Sequence, residues 1–214
     1  ANIVCKQVEK GSNVIGFGEM GIANTSSASA LMCAMTGLPI IDCVGLGTGI
    51  NAKQLTHKME LIGQALELHK DSFYDIKMTL AALGGFEIVQ MIGAMLAAAE
   101  AGCVILVDGF ICSVAAMAAI KINPLAKAYM VFCHQSEEAG HQRLLASLQV
   151  KPLLSLDLRL GEGTGAALAL PLLNALQKAH FEQGNALISQ AALTEIINEQ
   201  KLSPPAKVFK SDKL

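Results

Sequence analysis

Two glutamates of this chain sit inside glycine-rich turns: Glu162 in G-E-G-T-G (161–165) and Glu19 in G-F-G-E-M-G (16–21). Glycine lets backbone approach a ligand closely, and a carboxylate stripped of water there can have its pKa raised and act as a general base. Taken alone, G-E-G-T-G is explained equally well as a tight turn with a solvated glutamate. A third loop, G-L-G-T-G (45–49), is followed nine residues later by Lys58. Glycine loops at helix N-termini offer N–H groups to a phosphate, and a lysine near such a helix start adds a point charge. No D-D or D-x-D cluster accompanies them, which argues against a dedicated Mg²⁺ site. These parts suit a reaction at a sugar phosphate.

A dinucleotide site is the competing reading. G-x-G-x-x-G at 16–21 follows a strand-like run, and Asp42 comes 21 residues after Gly21, the spacing of a dinucleotide fingerprint. Glu19 would face the pyrophosphate that those glycines should cradle. The polar I-A-N-T-S-S that follows looks like an extended loop before a Thr or Ser cap, and Asp42 leads into a second glycine loop. The dinucleotide reading is therefore the weaker one.

The elements that must hold these loops alternate. Strands are expected at 13–17, 39–44, 103–107, 128–133 and 153–158, the run CVILV (103–107) being apolar throughout as a central parallel strand requires. Helices are expected at 26–36, ended by Gly37 and Pro39, and at 56–70, 85–101, 113–120 and 166–181. Ala1 to Lys10 looks like the middle of a helix. The fold class that follows is α/β: a parallel β-sheet with helices on both faces, Rossmann-like, with the ligand crevice at the carboxyl ends of the strands. The strand ends carry G-F-G-E-M-G, G-L-G-T-G, D-G-F, H-Q-S-E-E and G-E-G-T-G, so five polar loops are expected to converge. Residues 1–184 are expected to form one large domain. Residues 185–214, broken by Ser203-Pro204-Pro205, should be a tail that is mobile or packs on a neighbour.

Composition narrows the function. The 214 residues are 52% hydrophobic and 16% charged, with net charge −2, so extensive burial and an oligomer interface are expected. Without a basic stripe or tryptophan, and with 4% aromatics, nucleic acid is not an expected partner. Nor is a membrane: the longest uncharged run, Met20 to Ile41, is too rich in Asn, Ser, Thr and Pro to span one. The charged opening Ala1 to Lys10 does not read as a signal peptide. Six cysteines lacking any C-x-x-C fit reduced thiols in the cytoplasm. His134 and His141 flank S-E-E-A-G and could be mistaken for a metal pair with Glu137 or Glu138. They read better as a strand-end and a helix residue, and no metal or other cofactor is expected. Met91 and Met95 are expected in the core, and Glu87 is expected to cap a helix N-terminus, where the dipole favours a carboxylate.

Five blocks together carry a resemblance: GFGEMGIANTSSASA (16–30), LGGFEIVQMIGAMLAAA (83–99), LVDGF (106–110), H-x-S-x-E-x-G (134–140) and LRLGEGTGAALALPLL (158–173). Their order and spacing over residues 12–180 resemble the nicotinate-nucleotide–dimethylbenzimidazole phosphoribosyltransferase family. The resemblance implies transfer of phosphoribosyl from nicotinate mononucleotide to 5,6-dimethylbenzimidazole in cobalamin assembly, with Glu162 as the catalytic base. By the same resemblance, Glu19 lines the phosphoribosyl end and Lys58 serves the substrate phosphate. Gly45, Gly47, Thr48 and Gly49 form a phosphoribosyl-side loop, although many members have Arg where this chain has Leu46. Asp108 contacts ribose hydroxyls or orients a loop, and Ser136 faces the product. Gly21 and Asn24, with Leu160, Gly161 and Gly163 beside Glu162, complete the substrate-binding candidates. A homodimer is expected. Family members carry a further segment before the point where this chain begins, so the chain reads as the large domain, shortened at its N-terminus. A non-catalytic relative that binds a nucleotide or a partner chain is the alternative.

Overall fold

The computed structural model describes residues 1–182 apart from Thr48 and Arg159. The expected tail, and Thr48 of the candidate loop, thus lie outside the described residues.

Three parallel strands, β1 (Val14–Phe17), β2 (Val104–Val107) and β3 (Met130–Phe132), pair in the order β1-β2-β3. A second parallel pair joins β4 (His134–Ser136) to β5 (Leu154–Leu158). Cys133 links the two sheets: its N–H donates to Val107 O, and its carbonyl accepts from Leu154 N–H. The crossovers are helical, as parallel strands demand. In chain order the helices are α1 (Asn2–Glu9), α2 (Thr25–Thr36), α3 (Ile40–Cys43), α4 (Ala52–Leu68), α5 (Ile76–Leu83), α6 (Phe86–Glu100), α7 (Phe110–Ile122), α8 (His141–Leu148) and α9 (Thr164–Glu182).

Alternation along β2 divides the core. Ile105 and Val107 point into the main cluster with Leu31, Met95 and Val114 of α2, α6 and α7. Leu106 points the other way, onto Ala166 and Ala169 of α9. Both faces are thus covered, which is why this strand carries no polar residue. Met95 is fully buried and Met91 packs on the same cluster. No helix among the described residues is long and apolar enough to cross a membrane.

The sequence expectation fails at residues 39–44. Pro39 to Val44 is not a strand; Ile40–Cys43 winds one turn of helix after Pro39, whose φ of −58° suits a helical start. Among the described residues no strand pairs with it. The turn is held instead by side chains, with Ser29 Oγ donating to Cys43 O at 2.8 Å and Asp42 pairing with Arg143 at 2.9 Å. Boundaries also move, the helix expected at 113–120 running Phe110–Ile122. The helix expected from Thr56 starts at Ala52, because Asn51 and Gln54 form a reciprocal capping box. The strand expected over 128–133 shortens to 130–132, because Asn123 caps a 3₁₀ turn over Pro124–Tyr129.

Candidate functional site

The G-E-G-T-G segment turns from β5 into α9 through three consecutive left-handed residues, Gly161, Glu162 and Gly163, with φ of 68°, 58° and 83°. Two glycines adopt this backbone freely; a glutamate between them does so at a cost. Asp108, at the end of β2 and almost fully buried, holds the turn. Its Oδ2 accepts from Gly163 N–H at 3.0 Å and its Oδ1 from Ala166 N–H at 3.2 Å. This is the bonding of a loop-orienting residue, one of the two roles expected for Asp108.

The β1 loop clasps the same turn. Glu162 N–H donates to Glu19 O at 2.9 Å, and a Cβ on Gly18 would collide with the Gly163 backbone. The second glycine of G-x-G-x-x-G therefore faces another loop of this protein, and Asp42 sits on a helix beside an arginine. Neither fits the dinucleotide fingerprint. Beyond Gly18, Glu19 Oε2 accepts from Gly21 N–H at 2.6 Å and from Asn24 Nδ2 at 2.7 Å. Burial holds the Glu19 carboxyl above its ordinary value, against the lowering effect of those two donors. Asn24 Oδ1 is buried without a partner.

Glu19 and Met20 form the shared wall of two cavities. One, of about 590 Å³, is lined on its apolar side by Val14, Leu106 and Leu170 and bordered by Glu162 and Gly163. The other, of about 120 Å³, is the more polar of the two, with Thr25, Asp108, His134, Ser136 and Glu138 beside apolar Phe110 and Ile111. It takes residues from all five expected loops: Glu19 and Gly21, Gly47, Asp108, Ser136, and Leu160 with Gly161. The convergence read from the sequence is realised, although G-L-G-T-G arrives from the short helix α3. Glu162 itself is exposed.

Lys58 lies two turns inside α4, beneath the G-L-G-T-G loop. Its Nζ donates to Thr25 Oγ1 at 3.0 Å and to Gly45 O at 3.1 Å, tying the loop to the start of α2. Burial pushes the Lys58 amine down, and nearby Glu138 opposes that. Lys58 lines a third cavity, of about 460 Å³, between α2, α4 and α5. Gly45 packs on Glu138, whose Oε1 a Cβ there would strike, and Gly49 has φ of 113°. Glu87 sits in the first turn of α6, but it does not make the expected cap by hydrogen bond, and its Oε1 is buried without a partner.

Some cavity-lining residues were not singled out from the sequence, among them Thr25, Gly109 and Glu138. His134 was read only as a strand-end residue. Its ring is almost fully buried, with Nε2 at 3.6 Å from Asp108 Oδ1, and a Cβ on Gly165 would run into it. The last glycine of G-E-G-T-G is thus explained by an imidazole, a pairing that only the fold reveals. Among the described residues no group of three or more His, Cys, Asp and Glu side chains is gathered as a metal site would be.

A family model described as phosphoribosyltransferase matches residues 1–187. The nicotinate-nucleotide–dimethylbenzimidazole phosphoribosyltransferase of Pseudoalteromonas translucida (strain TAC 125) is 57% identical over 174 residues, covering 81% of this chain and 49% of the relative. The protein of the same name from Shewanella baltica (strain OS185) is 53% identical over 196 residues, covering 92% of this chain and 54% of its own length. The crystal structure of CobT from Thermus thermophilus superposes with a TM-score of 0.78 at 38% identity, over 83% of this chain and 53% of that one. The chain spans about half the length of the curated relatives it matches.

Proposed function

This chain belongs to the nicotinate-nucleotide–dimethylbenzimidazole phosphoribosyltransferase family, and on that premise we propose that it transfers phosphoribosyl from nicotinate mononucleotide to 5,6-dimethylbenzimidazole. The products are α-ribazole 5′-phosphate and nicotinate, in assembly of the cobalamin nucleotide loop. The observation that carries this reading is the placement of Glu162. A carboxylate in strained backbone, flanked by two left-handed glycines, borders a large, mainly apolar cavity that adjoins a smaller, more polar one. Outliers of this kind persist where surrounding structure over-determines them, and they cluster at reacting sites.

In this reading the aromatic base occupies the apolar cavity and the phosphoribosyl group the polar one. A benzimidazole nitrogen attacks the anomeric carbon while the bond to the nicotinate ring breaks. The electron pair of that bond neutralises the pyridinium, so the leaving group needs no acid. The proton lost by the other benzimidazole nitrogen goes to the Glu162 carboxylate. Glu162 is exposed in this chain, so the incoming base and the polypeptide that covers it supply the desolvation a general base needs. Glu19, Gly21 and Gly47 line the ribose side, with Asn24 bonded to the Glu19 carboxylate, and by the family resemblance Lys58 with the 45–49 loop serves the phosphate. The working form in this reading is a homodimer in the cytoplasm.

The test is release of nicotinate from nicotinate mononucleotide plus dimethylbenzimidazole, comparing the wild type with Glu162→Gln. A loss of about 10²–10⁴ in kcat is expected, the usual worth of a general base. Equal rates would remove Glu162 from that role. Binding of nicotinate mononucleotide without turnover in either protein would favour a non-catalytic nucleotide-binding relative.

A further inference from the structure

His141 opens α8 and is fully buried, outside both of the cavities that share the Glu19 wall. Three groups surround its ring. Ser136 N–H lies 2.9 Å from Nδ1, Ser136 Oγ lies 2.8 Å from the same nitrogen, and Ser113 Oγ of α7 lies 3.0 Å from Nε2. These contacts fix the proton. A backbone N–H can only donate, so Nδ1 is bare. A neutral ring must then carry its proton on Nε2, where it donates to Ser113 Oγ. Burial, aided by neighbouring His134, pushes His141 down to about 3, which keeps the ring neutral.

The same logic extends to Ser136. Its hydroxyl oxygen faces a bare nitrogen lone pair at hydrogen-bond distance. Two lone pairs would repel there, so the hydroxyl proton is directed at Nδ1. Ser136 lines the polar cavity, and what it can offer there is an oxygen lone pair. A phosphoryl oxygen is itself an acceptor and gains nothing from such a partner, whereas a sugar hydroxyl does.

We propose that His141 is a positioning residue that makes Ser136 a hydrogen-bond acceptor toward the polar cavity, so that the ligand group seated at Ser136 is a pentose hydroxyl. The ligand half of this inference rests on the phosphoribosyl reading; the tautomer half does not. It also separates the cavity walls, with the phosphate left to the Lys58 and G-L-G-T-G side.

Two measurements test it. In protein labelled with ¹⁵N-histidine, two-bond proton–nitrogen correlations of the His141 ring, assigned by their loss in His141→Asn, should show the Nε2–H tautomer. An Nδ1–H ring or an imidazolium at neutral pH would overturn the inference and leave the phosphoribosyl reading intact. The second measurement is calorimetric binding of ribose 5-phosphate and of inorganic phosphate. Ser136→Ala and His141→Leu should each weaken ribose 5-phosphate about tenfold, the worth of one hydrogen bond. His141→Asn should recover most of that, because its amide oxygen can accept where Nδ1 did. In a Ser136→Ala background, His141→Leu should add less than about twofold, since it acts through the missing hydroxyl; a full further loss would show a merely structural role. Inorganic phosphate should bind Ser136→Ala as it binds the wild type; equal weakening of both probes would overturn the acceptor assignment. If the wild type binds neither probe while the Nε2–H tautomer is observed, the phosphoribosyl reading fails and takes the ligand assignment with it.

Discussion

Glu162 holds a left-handed backbone that costs an L-residue about 1–2 kcal/mol, with a φ of 58° between two glycines that hold theirs freely. That cost can be measured apart from the chemistry. Glu162→Gly releases the strain but adds glycine's own conformational entropy, about 0.5–1 kcal/mol. The Gly variant should therefore be about 0.5–1 kcal/mol more stable than both wild type and Glu162→Ala, which keep the strain. Urea midpoints of the three proteins decide it, and Gly and Ala variants of equal stability would mean that the turn relaxes. Turnover should be lost in both variants, so stability and activity would move in opposite directions for Gly. Glu19 gives a prediction in pH. Burial raises its carboxyl above the ordinary value of 4.5, so between those two values the folded chain binds more protons than the unfolded one. Stability must then fall as pH rises through that window. Thermal melting of Glu19→Gln beside wild type should show the variant gaining on wild type from about pH 4 to about pH 7. A constant difference would mean that the carboxylate is as well solvated folded as unfolded.

Between elements, the clasp of the β1 loop on the β5–α9 turn sets the site. Alanine at Gly18 would drive its Cβ into the Gly163 backbone, which cannot give way as a flexible side chain would. Gly18→Ala should destabilise by about 1–3 kcal/mol, as overpacking does, and should displace Glu162. Gly93, in α6 with open space at its Cβ position, is the control. Gly93→Ala should stabilise by about 0.5–1 kcal/mol, through helix propensity. If both alanines cost alike by calorimetry, the clasp is not what fixes the loop. This contact also shows what the sequence could and could not tell. The long helices and the apolar strand β2 were legible because their signals are local: periodicity, caps and continuous apolarity. Residues 39–44 misled because PIIDCV has the composition of a strand, and only the lack of a neighbouring strand among the described residues turns it into helix. The five glycine loops were legible as a set. The reasons for individual glycines were not, since Gly18 answers to Gly163 and Gly165 to His134, each across a long stretch of intervening chain. The role of His141 escaped partly for the same reason: Ser136 of β4 is close in sequence, but Ser113 reaches the ring only when α7 packs on α8.

At the scale of the molecule, the site borders apolar surface that the chain itself does not cover. Met20 and Ile22 on the β1 loop are 64% and 65% exposed, Phe86 at the start of α6 is 89%, and Leu160, two residues before Glu162, is 71%. Single exposed apolar residues are ordinary, but large ones on the loops that build a site mark a surface meant to be covered. Something must also enclose Glu162 if it is to work desolvated. The relatives carry about as much polypeptide again as this chain spans, and the proposed homodimer offers a second copy; either could close the cavity. If the second copy is the cover, this chain should self-associate, sedimenting faster as its concentration rises. Phe86→Asp, which places a charge on the most exposed of the four side chains and leaves the core untouched, should then shift the population toward the lighter species without lowering the melting temperature. A wild-type monomer at every concentration would assign the cover to further polypeptide of the same protein. In that case an apolar dye should bind the chain, and Phe86→Asp should weaken the dye signal while sedimentation stays unchanged. Failure of both readouts would mean that the apolar rim is ordinary surface, and that Glu162 must do its work open to solvent.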